Sequence, residues 1–464
     1  MRGRGLLVAA LILLVARNAG AQNADPFFYG DQAALGAGAV VASGRDSGSL
    51  WYNPAGFAGL HRDTLSASAS TFGIRWRTIP DALRVRVAGN DSRNVDLSSA
   101  DVISVPNAVV YAFQLNDRLA LGLGLLTTQR DIRSALASVP SSPVTAPDGT
   151  RYSALDERID LQADRAEYHA GAALAAEITK DLRLGFALFG TYTKTTANVQ
   201  YLLNATTGPN PADERGFVLQ SARITASGVA LGASLGAQYH ASERVSLGLT
   251  VRTPEIALTS SSDGGVVVGT ATAGGTDPAS ADVSQTPAVS GRSTGIVYAP
   301  ARVLGGVAFA FGAHDAEHAP PGVVEIGADF AHGLPTTSLA SARRAVVNGR
   351  VGVRYQPSPQ WILGGGFFTD RATERDLTEG IGSEKVDWYG ITLGVGKRTP
   401  LGLVRDPSPE ALVLVTTLSL RAAAGFGHAR ALALDLSGDA TPADDRSDVT
   451  FYELMPYLGS SVAF

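Results

Sequence analysis

The chain holds seven histidines and no cysteine, so any metal site or covalent chemistry rests on His, Asp, Glu and Ser. His314 and His318 flank Asp315 and Glu317, residue types that ligate zinc. Pro320 and Pro321 follow directly, so no helix presents the two imidazoles together, and no metal is expected there. Asp435, Asp439, Asp444, Asp445 and Asp448 offer oxygens to calcium, but their spacing does not match an EF-hand loop. A solvated acidic segment over 435–448 is the plainer reading. His169 and His240 are candidates for a Ser–His pair, yet no nucleophile-elbow pattern singles out a serine. Phosphate loops and dinucleotide fingerprints are missing as well, so neither an enzyme nor a cofactor is expected. Arg183, Arg252, Arg350 and Arg354 stand apart, because each falls on the polar face of an alternating segment. One of them could pair a ligand carboxylate, since guanidinium makes bidentate contacts. The other reading pairs them with acids such as Asp160 or Asp164.

The segments that carry these arginines have period 2. Residues 119–125 read Leu-Ala-Leu-Gly-Leu-Gly-Leu, residues 245–252 read Val-Ser-Leu-Gly-Leu-Thr-Val-Arg, and Arg350, Gly352 and Arg354 oppose Val351, Val353 and Tyr355. Such alternation marks half-buried strands. The runs suit the roughly 9–11 residues a strand needs to cross a bilayer. Composition agrees: 45% of residues are hydrophobic and 17% charged, below the roughly 25% charge of soluble domains. The net charge of −5 makes nucleic acid an unsuitable partner.

Arg2 and Arg4, the apolar run Leu6–Ala16 and the small residues Ala19-Gly20-Ala21 form a signal peptide over residues 1–21, with Gln22 as the mature start. Export without cysteine suits the bacterial envelope. Short turns at 116–118, 179–181, 242–244 and 357–359 alternate with long polar segments near 74–103, 131–157, 204–215, 259–290, 371–385 and 427–448. Short periplasmic turns and long outer loops characterise outer-membrane barrels. About 14 strands are expected, starting near 63, 104, 118, 158, 183, 217, 244, 292, 322, 345, 360, 386, 410 and 449. The strand at 158–177 requires a bulge near Arg165, where the apolar phase switches. Tyr452, Leu454, Leu458, Val462 and the terminal Phe464 share one face, a pattern resembling the signal read by the barrel-assembly machinery. Trp361 and Trp388 are expected at the membrane interfaces.

Residues 27–60 do not alternate. They read Phe27-Phe28-Tyr29-Gly30, then Gly36-Ala37-Gly38-Ala39, then Asp46, then Trp51-Tyr52-Asn53-Pro54-Ala55-Gly56. This stretch resembles the FadL long-chain fatty acid transporter family. Val251-Arg252-Thr253-Pro254, Ala299-Pro300, Leu304-Gly305-Gly306-Val307 and Ala328-Asp329 are similar too. The resemblance implies an all-β, transmembrane antiparallel barrel of about 14 strands over 61–464, with a hatch over 22–60 in its lumen. It implies uptake of hydrophobic molecules, fatty acids or hydrocarbons, that bind in the lumen and leave sideways through a kinked strand. It places the chain in the bacterial outer membrane, as a monomer among lipids and lipopolysaccharide.

Carried over residue by residue, Asn53, Pro54, Ala55 and Gly56 match the hatch motif. Phe27, Phe28 and Tyr29 lie where the family's mature N-terminus reaches the pocket, with packing of the hatch against the barrel wall as their other reading, and Arg252 joins them as a ligand-binding candidate. Gly122 and Gly124 lie in the strand that would carry the kink, since glycine weakens strands and marks bends. Their second reading is small inward residues that make room for the hatch. Two other functions stay open: an open diffusion porin for small polar solutes, and an enzyme or adhesin built on the outer loops. A porin needs no hatch.

Overall fold

The computed structural model describes residues 27–86, 93–145, 151–208, 213–274, 279–295, 297–312, 321–334, 343–375, 377, 384–401, 412–435 and 446–464. The leader, His314, His318, Asp439, Asp444 and Asp445 lie outside them.

Alternation becomes strand throughout. The described strands are β1 (Thr64–Arg86), β2 (Arg93–Asn116), β3 (Leu119–Thr145), β4 (Arg151–Thr179), β5 (Leu182–Thr206) and β6 (Arg215–His240). β7 runs in two pieces, Val245–Arg252 and Glu255–Ala273, and β8 in three, Ser280–Ser293, Val297–Ala299 and Arg302–Phe311. Then come β9 (Gly322–Ala331), β10 (Val346–Ser358), β11 (Trp361–Asp370), β12 (Glu384–Leu401), β13 (Leu412–Arg430) and β14 (Arg446–Ala463). Counting broken strands once, the described residues form 14. Each pairs antiparallel with its sequence neighbours, and β14 pairs antiparallel with β1, so the sheet closes into a barrel. A short piece, Leu432–Asp435, lies parallel to the end of β1. No described helix is long and apolar enough to cross a membrane.

The outward face is apolar where the short turns sit. Leu123, Leu174, Leu188, Leu235, Leu249, Leu393 and Leu458 are exposed there. Glycine, alanine and polar residues alternate with them and face inward, and two-residue turns at Asp117-Arg118 and Lys180-Asp181 join strands at this end.

Toward the other end the strands continue far past this apolar band. Most of 74–103, 131–157 and 259–290, expected as outer loops, is β-ladder. In this extension the faces exchange chemistry. On β4, Ala173 and Ala175 face inward beside exposed Leu174, whereas Ile159 and Leu161 face inward beside exposed Asp156, Arg158 and Gln162. The β4–β5 register runs unshifted from Ala154–Thr206 to Glu177–Arg183. In place of the bulge expected near Arg165, the outward face changes from apolar on one half of the strand to polar on the other. The register shift nearby belongs to β3, at Thr128. Asp160 and Asp164 stand on the outer face for the same reason, where Asp164 pairs with Arg130 at 2.8 Å. They do not neutralise the inward arginines.

Trp361 is exposed beneath Lys397, 5.5 Å from its ring centre, at the short-turn end. Trp388 is buried inside the barrel, with the Arg75 guanidinium 5.4 Å from its ring centre, and is not an interface residue. Tyr452, Leu454, Leu458 and Phe464 share the exposed face of β14, and Phe464 stacks on Tyr111 at 6.3 Å.

Candidate functional site

Residues 27–60 fold inside the barrel. They form a short helix α1 (Asp31–Leu35), a second α2 (Ser49–Tyr52) and a 3-10 turn (Pro54–Gly59). The segment is apolar and small enough to be buried nearly throughout. Wall glycines admit it from several sides. A Cβ at Gly122 would strike Phe57, one at Gly124 Leu50, one at Gly185 the Pro54–Ala55 backbone, and one at Gly352 the Gly36 backbone.

Asn53-Pro54-Ala55-Gly56 is the joint of this segment. Asn53 is extended, as a residue before proline must be, with φ −157° and ψ 104°. Its Oδ1 accepts from Ala55 N at 3.1 Å and so caps the 3-10 turn, where Pro54 needs no donor. Its Nδ2 donates to Val41 O at 2.8 Å within the segment and to Ala237 O at 2.9 Å on β6. One side chain thus ties turn, loop and wall together. Gly56 packs against the Gly44 carbonyl and the Ser49 hydroxyl, leaving no room for a Cβ.

Phe27, Phe28 and Tyr29 are buried in an aromatic cluster with Trp51, Tyr52, Phe189 and Phe368. Phe28 meets Phe368 edge-on at 5.4 Å, and Tyr29 meets Trp51 at 5.5 Å. The Tyr29 hydroxyl donates to Thr127 O at 3.0 Å, and Asn107 Nδ2 donates to Phe28 O at 3.3 Å. Trp51 also meets His169 at 5.1 Å and Phe189 at 5.9 Å, both edge-on.

The inward arginines serve the same segment. The Arg252 guanidinium lies over the Trp51 ring and donates to the Trp51 carbonyl. Arg350 stands 5.8 Å from the Tyr52 ring centre and 4.0 Å from Asp329, which also pairs with Arg302. Arg354 donates to Gln32 Oε1 at 2.7 Å and to the Ser43 hydroxyl. Arg183 pairs with Glu177 at 3.4 Å and packs on Gly59. Glu325 accepts from Ala42 N at 2.8 Å and Ser43 N at 3.1 Å.

Above the aromatics lies a second interior layer that sequence reading missed. Arg75, Arg77, Arg133 and Arg421 interlock with Asp101, Asp131, Glu384 and Glu453. Equal numbers of each charge leave the layer neutral, as burial demands. The available signal was Arg75 and Arg77 two residues apart, inside a stretch taken for a loop.

His169 is buried, with Nε2 3.0 Å from Glu167 Oε1 and Nδ1 3.2 Å from Thr191 Oγ1. Thr191 donates onward to Glu255 at 2.8 Å. His240 Nδ1 is 2.8 Å from Ser246 Oγ, but its Nε2 lies 3.3 Å from the Arg45 guanidinium. A cation at that nitrogen opposes the imidazolium that a general base must become. Asp448 pairs with His428 at 2.7 Å. Among the described residues no three His, Asp or Glu are grouped to hold a metal.

Among the described residues, two breaks in the ladder between neighbouring strands stand out. The β2–β3 ladder stops at Ala108–Leu126, although both strands continue beyond it. Gly122 and Gly124 lie below that point, in unbroken ladder with β2 and β4, and the irregular residue of β3 is Thr128. The second break is the interruption in β7 and β8 at 253–254 and 300–301. Beside it is a cavity of about 90 Å³ bordered by Trp51, His169, Arg252, Glu255 and Pro300.

A family model described as outer membrane protein transport protein (OMPP1/FadL/TodX) matches residues 9–289. The fold is similar to that of a FadL homologue from Pseudomonas aeruginosa, at 12% identity over 96% of this chain and 99% of that one, with a TM-score of 0.55. It is also similar to the P. putida toluene transporter TodX, at 14% identity over 94% and 98%, with a TM-score of 0.53. No curated protein matches the sequence.

Proposed function

The chain belongs to the outer membrane protein transport family (OMPP1/FadL/TodX), and on that premise we propose that it carries hydrophobic small molecules across the bacterial outer membrane. The ligand is a hydrocarbon or a fatty acid. It binds among the lumen aromatics and leaves sideways into lipid, without crossing an aqueous pore.

The observation that carries this reading is the buried aromatic cluster inside the barrel, built from Phe27, Phe28, Tyr29 and Trp51 on one side and Phe189 and Phe368 on the other. An apolar solute gains about 0.8 kcal/mol per CH₂ on leaving water for such surroundings. Residues 27–60 act as a hatch that keeps water and ions out. The place where β2 and β3 part above Ala108–Leu126 suits lateral release, because Val109 and Leu125 beside it face lipid. Arg252 is positioned to meet a polar substituent of the ligand once Trp51 moves.

The competing reading, a diffusion porin, requires a free lumen, which the buried position of residues 27–60 disfavours. Single-channel recording in a planar lipid bilayer separates the two. Inserted protein that stays nearly silent, together with uptake of toluene or oleate by expressing cells above vector controls, is the expected result. Large steady conductance steps would replace the proposal with a porin.

A further inference from the structure

We infer that the interruption between β7 and β8 is a side portal for compounds about one aromatic ring wide, separate from the parting of β2 and β3. The inference rests on the channel reading above.

The ladder between these strands skips. Arg252 pairs with Arg302 and Glu255 pairs with Ala299, while Thr253, Pro254, Pro300 and Ala301 have no partners across the gap. Two proline nitrogens there cannot donate, so the gap cannot zip shut. The backbone groups at its edges bond away from the gap. Thr253 bonds backward to β6, its N donating to Ala233 O and its Oγ1 accepting from Ala233 N, both at 2.9 Å. Ala301 O accepts from His332 N, beyond the end of β9, at 3.0 Å. Two missing residue pairs leave about 7 Å of this seam without ladder bonds, where the strands can part.

The gap has lipid on one side and the lumen on the other. Val251, Ile256, Leu258, Leu231 and Val303 around it are all exposed, so it lies within the apolar band. On the lumen side it meets the cavity of about 90 Å³. That is less than the roughly 150 Å³ of an engineered cavity that admits benzene, so this is a closed state. Trp51 forms the inner door, held shut by Arg252. Gly232 faces the same cavity and has space only for a hydrogen beside Glu255.

The chain has no cysteine, so a Thr253→Cys/Ala301→Cys variant contains one pair of thiols, which the register sets opposite each other. Uptake of radiolabelled toluene is measured in cells lacking other hydrophobic channels, under oxidant and then reductant. The portal predicts that uptake falls on oxidation to the share carried by the parting of β2 and β3 and recovers on reduction, while wild type is indifferent to both. Gly232→Phe, which pushes Glu255 aside and fills the cavity without relying on a disulfide, must lower uptake while keeping heat-modifiable mobility. Unchanged uptake in a folded Gly232→Phe barrel, or in a barrel whose disulfide is verified by mass, overturns the portal. Wild-type cells that take up no more than vector controls would instead overturn the channel reading.

Discussion

The Arg252 guanidinium carbon lies 4.0 Å from the centre of the Trp51 ring, joining the barrel wall to the segment inside it. The same side chain donates to the Trp51 carbonyl. A cation–π contact contributes about 0.5–2 kcal/mol, and a hydrogen bond from a charged donor about 1.5–3 kcal/mol. Arg252→Ala should therefore loosen the hatch and produce brief conductance bursts from a folded barrel. Arg252→Lys, which keeps the charge but not the planar fork, should burst less often. Recordings as quiet as wild type would show that this contact does not hold the hatch.

Deleting residues 22–56 should leave a barrel that assembles and conducts ions constantly. The wall is closed by its own ladder from β1 to β14 and does not need the segment for that. A deletion variant that inserts yet stays electrically closed contradicts the plug assignment.

Asn53→Ala removes a cap and two bonds to carbonyls at once. At about 1 kcal/mol per bond, the hatch should lose a few kcal/mol of docking energy. Limited proteolysis should then cut within 27–60 in the variant and spare it in wild type. Equal resistance would place the anchoring elsewhere.

Asp31 supplies a pH dependence. Burial, with the nearby Asp46 carboxylate second, pushes it from an ordinary value near 3.8 up to about 7. Ser461 donates to it at 3.0 Å and Tyr457 at 3.5 Å, both from β14. Because the docked state prefers the protonated acid, its stabilisation is full below the undocked value and is lost as pH rises through 7. Protease protection of the hatch should thus be stronger at pH 5 than at pH 9. Asp31→Asn should shrink the difference, leaving the part due to Asp46, which burial also pushes up, and an undiminished pH effect in that variant would assign it to another group.

Gly122→Val and Gly124→Val should push Phe57 and Leu50 away from β3. The outcome expected from those contacts is ionic leak. Lost uptake with no leak would favour a strand-kink role for the two glycines.

Much of this was legible in the residues, and the failures have one cause. The 14 strands could be counted because Leu123, Leu235 and Leu249 repeat every second position against small partners, and lipid outside requires that pattern. The extension was misread because water outside reverses it. Ile159 and Leu161 alternate as cleanly as Leu174, but toward the interior. Period 2 reports that two faces differ, not which is wet, so an inversion looks like a bulge at Arg165 and strands look like loops. Pairings such as Arg252 with Trp51, from wall to inner segment, or Arg75 with Glu453, facing each other where β1 meets β14, join residues hundreds of positions apart and leave no local trace. The aromatic run 27–29 and the Asn53 motif were visible because each is contiguous.

Strand length gives the rim a slope. β3 to β6 have 25 to 29 residues, whereas β9, β10 and β11 have 10, 13 and 10. Ten residues tilted as in such barrels rise about 25 Å, the height of the apolar band alone. Among the described residues that flank is no taller than the apolar band, while the opposite flank has strands more than twice as long, so the two sides of the rim differ in height.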